Sequence, residues 1–415
     1  MRTNYSKRLT RQGLGGSPIL IFSLTILFWT LFDATISYIT PVIIKQNGFS
    51  TAMVGVIIGS SSVVGAIFDF LISKFLKRTD FRRIFLVMFS ICFVYPLLLW
   101  QAKTLWFFII VMGIWGIYFD LYGFGKFNFI SRYIRREEHA SAFGVAQVFR
   151  ALGGSLAPLV AGIFVVSVVE WQMFDLAWIY LSIGFVFFIM MYFSIKKVSL
   201  PKNEDVELSQ RKNLFFELHL WKRLISKLNS VLILTFYLFF IDAFFWTLAP
   251  LYAGSVNFKD FGGLLLAAYT LPQLITGWFI GGLTVKFGKK RTAYACLSIG
   301  SLILSLFFIV RDPILAILTV FVASIFISLA LPTINSSYAD YISDAPQVES
   351  EIEGLEDFFM NFGHIFGPLL AGILAEVFNI PIAFGIMGVI GFVIGVLLLI
   401  FGPRRIILRS RSTGV

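Results

Sequence analysis

Apolar residues in this chain run in blocks long enough to cross a bilayer. A spanning helix needs about 20 such residues, and twelve stretches qualify: 19–44, 52–73, 84–101, 104–125, 141–168, 173–195, 229–253, 261–285, 292–310, 313–334, 355–378 and 381–402. The runs are continuous, whereas a membrane barrel would alternate apolar and polar positions. The pattern predicts an all-α integral membrane protein with twelve transmembrane helices. Polar residues fall between the blocks in short loops, with one longer interruption at 196–228. Its first part, around Pro201–Asp205, reads as a linker. In its second part Leu214, Leu218, Trp221 and Ile225 recur at helical spacing among Lys212, Lys222, Arg223 and Lys227. That segment is either an amphipathic helix lying on the membrane surface or the lead-in to span seven.

The twelve spans fall into two copies of six. Phe32-Asp33-Ala34 followed by Pro41 recurs as Ile241-Asp242-Ala243 followed by Pro250, an offset of 209. Gly144, Phe149, Gly153, Pro158 and Gly162 recur as Gly354, Phe359, Gly363, Pro368 and Gly372, an offset of 210. Lys74-Phe75 recurs as Lys286-Phe287, an offset of 212. Parallel repeats in a membrane protein place the binding site at the interface between the halves. The expected organisation is a first six-helix half over 1–195, a linker over 196–228, a second half over 229–403 and a tail over 404–415.

Charge fixes the orientation. The first tail, 74–83, 126–136, 196–227, 286–291 and the last tail together hold 29 of the 34 Lys and Arg residues. All of these segments fall on one side of a twelve-span path. The opposite side holds only Lys45, Lys103, Lys259 and Arg311, and Arg150 lies inside a span. Basic residues are retained on the cytoplasmic side, so both termini are expected in the cytoplasm of a cell-membrane protein. The net charge of +11 is thereby accounted for by topology and contact with anionic lipid, not by nucleic acid. The basic opening segment is followed by an apolar run of spanning length without a small-residue cleavage site, so no cleavable signal peptide is expected. Cys92 and Cys296 both sit within spans and suggest packing, not metal binding or a disulfide framework.

Two patterns carry a family resemblance. Between spans eight and nine the chain reads Gly281, then Val285-Lys286-Phe287-Gly288-Lys289-Lys290-Arg291. Between spans two and three the equivalent stretch is Ser73-Lys74-Phe75-Leu76-Lys77-Arg78, with Asp69 one turn earlier. In spans five and eleven, Gly144, Gly153, Ala157-Pro158 and Ala161-Gly162 are matched by Gly354, Gly363, Gly367-Pro368 and Ala371-Gly372. Small residues at such intervals allow close helix approach, and proline breaks the backbone ladder locally. The chain resembles the major facilitator superfamily, and the span-five pattern resembles its proton-coupled drug and metabolite exporters. The resemblance implies a secondary transporter whose basic loops hold one conformation and whose spans one, four, seven and ten line a central cavity. It departs from the exporters in lacking an arginine over Thr104–Gly116.

Charged residues within spans cost at least about 2.5–3.5 kcal/mol each on insertion scales and mark function by default. Asp33 and Asp242 are repeat-mates near the middle of spans one and seven. Trp29, Ser37 and Thr40 share the face of Asp33, and Trp246 lies one turn from Asp242. Asp120 and Arg150 lie at similar depth in spans four and five, where a buried ion pair would lower the cost of both. Tyr118, Tyr122 and Lys126 follow one another by single turns on span four. They either line the inner vestibule or, in the case of Lys126, snorkel to the interface. On span eleven Asp357, Asn361 and His364 share a face beside Glu356, where a histidine could relay protons.

No phosphate-binding glycine–lysine loop or paired His/Cys ligand set occurs, so no enzyme, metal or cofactor is expected. The favoured reading is a monomeric secondary transporter that exports amphipathic or cationic small molecules in exchange for protons. One alternative is proton-coupled uptake of a sugar, nucleoside or organic nutrient. The other is a transport-inactive receptor or lipid-handling protein with the same fold.

Overall fold

In the computed structural model, residues 18–76, 79–134, 139–164, 168–195, 214–255, 262–276, 280–345 and 348–403 are described. Eleven helices among them are long and apolar enough to cross a membrane. Spans one to six are Pro18–Gln46, Thr51–Leu76, Phe81–Gln101, Leu105–Tyr133, His139–Phe164 and Gln172–Ser194. Span seven is Leu214–Ser255, span nine Lys289–Ser305, span ten Pro313–Asp344, span eleven Glu349–Val377 and span twelve Ile380–Phe401.

Span eight departs from the single helix expected over 261–285. It is built from Gly262–Thr270, Gln273–Thr276 and Ile280–Phe287. Within the described residues the helix breaks at Leu271-Pro272, and residues 277–279 lie outside them. Proline has no N–H to donate and disfavours helical backbone in the residue before it. Span seven departs in the other direction. Residues 214–228 continue directly into the membrane span as one helix of 42 residues, so the basic segment is the lead-in and not a separate surface helix. The preceding 196–213, the tail 404–415 and residues 1–17 lie outside the described residues.

The repeat seen in the sequence is repeated in space. Span five packs on span one as span eleven packs on span seven, and spans three and four pair as spans nine and ten do. Glycines set the closeness of these contacts. A Cβ on Gly153 would lie 2.9 Å from the Leu27 carbonyl oxygen, and one on Gly363 would lie 2.6 Å from that of Phe236. Leu27 and Phe236 are separated by the same 209 residues as the two aspartates.

The halves meet along two seams related by the same symmetry, span two against eleven and span five against eight. In the first, a Cβ on Gly55 would overlap the Pro368 carbonyl oxygen, and one on Gly372 would lie 2.5 Å from that of Thr51. In the second, a Cβ on Gly263 would overlap the Pro158 carbonyl oxygen, and one on Gly162 would overlap the backbone of Gly263. The prolines and glycines of the span-five and span-eleven patterns are therefore the seam itself. Their partners, Gly55 and Gly263, carried no motif in the sequence.

These approaches lie toward the end of the bundle that is poor in basic residues, where span two begins and span eleven ends. The Ala52 N–H donates to Glu376 Oε2 (2.7 Å) at the same end. Among the described residues, spans four and ten share no packed interface. The closest backbone approaches between the halves therefore lie at the basic-poor end.

At the basic-rich end, polar contacts hold each half to itself. The Asn128 side chain accepts from Phe81 N–H (3.0 Å) and donates to the Thr79 carbonyl (2.9 Å). Arg82 pairs with Asp80 at 2.9 Å and donates to the Tyr133 hydroxyl at 3.1 Å and the Tyr192 carbonyl at 3.2 Å. In the second half Lys289 pairs with Asp340 at 2.6 Å and donates to the Ser336 carbonyl at 3.1 Å. Gly288 has φ +80° before span nine, a backbone conformation that favours glycine. Lys286 is exposed, with its ammonium 5.2 Å from the Phe287 ring centre. Asp69 and Lys74 lie within span two, but their side chains fall outside the described ones.

Candidate functional site

Asp33 sits where span one faces span four. Its Oδ1 accepts from Trp115 Nε1 at 3.0 Å and from the Tyr118 hydroxyl at 2.9 Å. The residue is buried. A buried carboxylate without donors would be strongly disfavoured, and here two neutral donors from one face of span four hold it. Trp115 carries no signal in the sequence beyond its spacing of three from Tyr118, which puts both on that face.

Asp242, the repeat-mate, is half-buried in span seven. Tyr269 stacks on Phe245 with centroids 4.4 Å apart. The phenol and indole donors seen at Asp33 belong to the first half. In the sequence Tyr269 is one of 14 tyrosines, with no pattern to mark it.

Aromatic rings fill the space around these groups. Trp29 is buried, stacks on Tyr122 (3.9 Å, 13°) and meets Tyr118 edge-on at 6.4 Å. Trp246 packs across the halves against a small cluster of Leu31, Ala34 and Ala157. Ser37 is half-buried on span one, while the Thr40 hydroxyl turns back onto the Ile36 carbonyl at 2.7 Å. The polar stripe expected on span one therefore narrows to Asp33 and Ser37. The Ser155 and Thr270 hydroxyls are 2.9 Å apart and join spans five and eight across the halves.

The expected ion pair between Asp120 and Arg150 does not form. A Cβ on Gly65 would lie 2.8 Å from Asp120 Oδ2, so the carboxylate faces span two. The Arg150 guanidinium instead lies 5.4 Å from the Phe119 ring centre and 5.7 Å from that of Tyr122. Equal depth in two helices did not place the groups on facing sides. Residue 120 is about 100° around the helix from residue 119, so it belongs to the face that meets span two. Lys126 corrects the snorkelling alternative, because its ammonium lies 5.3 Å from the Tyr122 ring centre.

Arg150 thus rests on two ring faces of span four. No ion pair joins it to either aspartate among the described residues. His364 is half-buried, with its ring 5.3 Å from Phe239 of span seven. Asn361 is half-buried and Asp357 exposed. Among the described residues no cluster of His, Cys, Asp and Glu could hold a metal ion.

Known proteins share this architecture. The family profile described as Major Facilitator Superfamily matches residues 19–349 and 259–414. The quinolone resistance protein NorA of Staphylococcus aureus (strain Mu50 / ATCC 700699) is 30% identical over 158 residues, covering 36% of this chain and 40% of that protein's length. The multidrug resistance protein 2 of Bacillus subtilis (strain 168) is 27% identical over 119 residues, 28% of this chain and 29% of its own length. Among solved structures, the nucleoside transporter NupG superposes with a TM-score of 0.69 at 13% identity, over 93% of this chain and 99% of that one. A bacterial homologue of the human lysosomal transporter Spinster, inward-facing and unoccupied, gives 0.66 at 14% identity over 92% and 94%. With the profile spanning nearly the whole chain and two six-helix halves meeting along symmetric seams, the protein belongs to the Major Facilitator Superfamily and is a multi-pass membrane transporter, not an enzyme.

Proposed function

We propose that this transporter works by alternating access as a monomer and exports amphipathic or cationic small molecules in exchange for protons. The observation that carries the reading is the pair of midplane carboxylates. Asp33 and Asp242 stand at equivalent positions of the two halves, Asp33 held by neutral indole and hydroxyl donors, and neither forms an ion pair among the described residues. A carboxylate held this way can take up a proton or a cation in one state and release it in the other, which is what coupling requires. Exposure of the chamber to alternate sides then depends on which seam is closed, as expected for rocking halves. The weak similarity to two drug-resistance proteins supports export as the direction. The surplus of basic residues at the open end supports a cytoplasmic position for that end and for both termini.

The test is flux in proteoliposomes with ethidium as the probe, with and without an imposed proton gradient. Gradient-driven ethidium movement opposite to the proton flow is expected for the wild-type protein. Asp33→Asn and Asp242→Asn should each remove the dependence on the gradient while the protein stays folded by melting temperature. Wild-type gradient dependence in both variants would remove the aspartates from coupling. Movement in the same direction as the protons would refute export.

A further inference from the structure

We propose that the space between the halves contains a receptor for an anionic head group, formed by Lys126, Arg150 and the Tyr122 hydroxyl, and that the amphipathic substrates include aromatic ones bearing a carboxylate. This names the substrate class of the transport reading above and rests on it for the chamber's role.

The proposal begins with two cations in one place. Lys126 of span four and Arg150 of span five both lie against the Tyr122 ring, at 5.3 and 5.7 Å from its centre. Like charges within a membrane repel and are costly to bury, so such a pair calls for a counter-charge. The structure provides none by contact. Among the described residues neither cation has an ion pair or hydrogen bond; both rest on ring faces, Arg150 also on Phe119 at 5.4 Å. Asp33 is engaged with Trp115 and Tyr118, and Asp120 lies on the side of span two.

A third donor completes the set. The Tyr122 hydroxyl is buried and has no hydrogen-bond partner among the described residues. Buried polar atoms are nearly always satisfied, and an exception calls for an explanation. Guanidinium, ammonium and phenol are all donors, and together they match the acceptor-only oxygens of a carboxylate.

There is also room. A Cβ added to Gly123, between Phe119 and Lys126 on span four, would meet nothing within 4 Å. The same holds at Gly154, which is buried one turn beyond Arg150 on span five. Elsewhere in the bundle most glycines meet backbone at that distance. The backbone beside each cation is therefore uncovered at these two glycines. The rings of Phe119, Tyr122 and Trp29 beside it suit an aromatic body attached to the anion.

The experiment is calorimetric titration of the detergent-purified protein with 1-naphthoate and with its neutral isostere 1-naphthamide. The expected wild-type result is tighter binding of the acid than of the amide. Lys126→Met and Arg150→Gln should each lower naphthoate affinity by about tenfold or more, the weight of one charge-assisted contact, and leave naphthamide unchanged. Lys126→Arg keeps the charge and should retain the preference, and melting temperatures verify that each variant is folded. Equal affinity for acid and amide in the wild type, absence of naphthoate binding, or a preference that survives both neutralising substitutions would overturn the proposal. No gradient enters this measurement, so a failure of proton coupling in the flux assay leaves the binding result unaffected.

Discussion

The seam between spans two and eleven makes a sharp prediction about conformational balance. In Gly372→Ala the new Cβ would lie 2.5 Å from the Thr51 carbonyl oxygen and 3.0 Å from both Cα and carbonyl oxygen of Ala52. Ordinary carbon-to-carbonyl-oxygen contacts begin near about 3.3 Å, so the closest approach is short by about 0.8 Å. All three atoms are backbone, and no side-chain rotation relieves the overlap. Forcing a methyl group into a filled contact costs about 1–3 kcal/mol. Because the contact joins the halves, that cost falls on the state closed at the basic-poor end and spares the state open there. A differential of that size shifts a two-state balance about 5- to 150-fold. Gly55→Ala, whose Cβ would overlap the Pro368 carbonyl, should act in the same direction. The assay is electron–electron spin distance measurement between labels at Ser131 and Ser343, exposed at the basic-rich ends of spans four and ten. Both variants should raise the short-distance population as that end closes. Gly144→Ala is the control, since a Cβ there meets nothing within 4 Å. A folded Gly372→Ala protein with the wild-type distance distribution would refute the claim that this seam sets the balance.

Other consequences follow from single contacts. Tyr118→Phe and Trp115→Phe each remove one of the two donors to Asp33, contacts worth about 1.5–3 kcal/mol to a charged acceptor, and should lower gradient-driven flux; unchanged flux in both would mean that these bonds do not hold Asp33 in its working position. A double-substitution cycle of Asp120→Asn with Arg150→Gln should show coupling below about 0.5 kcal/mol in stability, since the two groups face different helices; a coupling of several kcal/mol would restore the ion pair. Arg82→Met should cost about 3 kcal/mol or more, as expected for breaking a buried charge pair, whereas Lys289→Met should stay within about 1 kcal/mol because its pair with Asp340 is largely exposed. Melting temperatures in detergent compare the two directly, and equal losses would contradict the difference in burial.

An all-helical membrane protein in two parallel halves is legible in the sequence alone. Span length follows from bilayer thickness, and side from basic charge, and both are one-dimensional quantities that local composition records. The repeat was legible because equivalent helices meet equivalent neighbours, so Gly153 and Gly363 dock on Leu27 and Phe236 in the same way. Asp33 and Asp242 stood out because an unpaired charge in an apolar run has few explanations. What surrounds them took shape only in three dimensions. Trp115 is an ordinary apolar-run residue until span four turns it toward Asp33. The Asp120–Arg150 pair failed for the same reason. Depth along a helix can be counted from a loop, but the side of the helix that faces a given partner depends on how every neighbour packs. Gly55 and Gly263 also became meaningful only when the halves met, because a contact between distant backbones leaves no spacing in the chain. The cations over Tyr122 are likewise a product of packing: which ring two side chains from different helices share is not written at any one position.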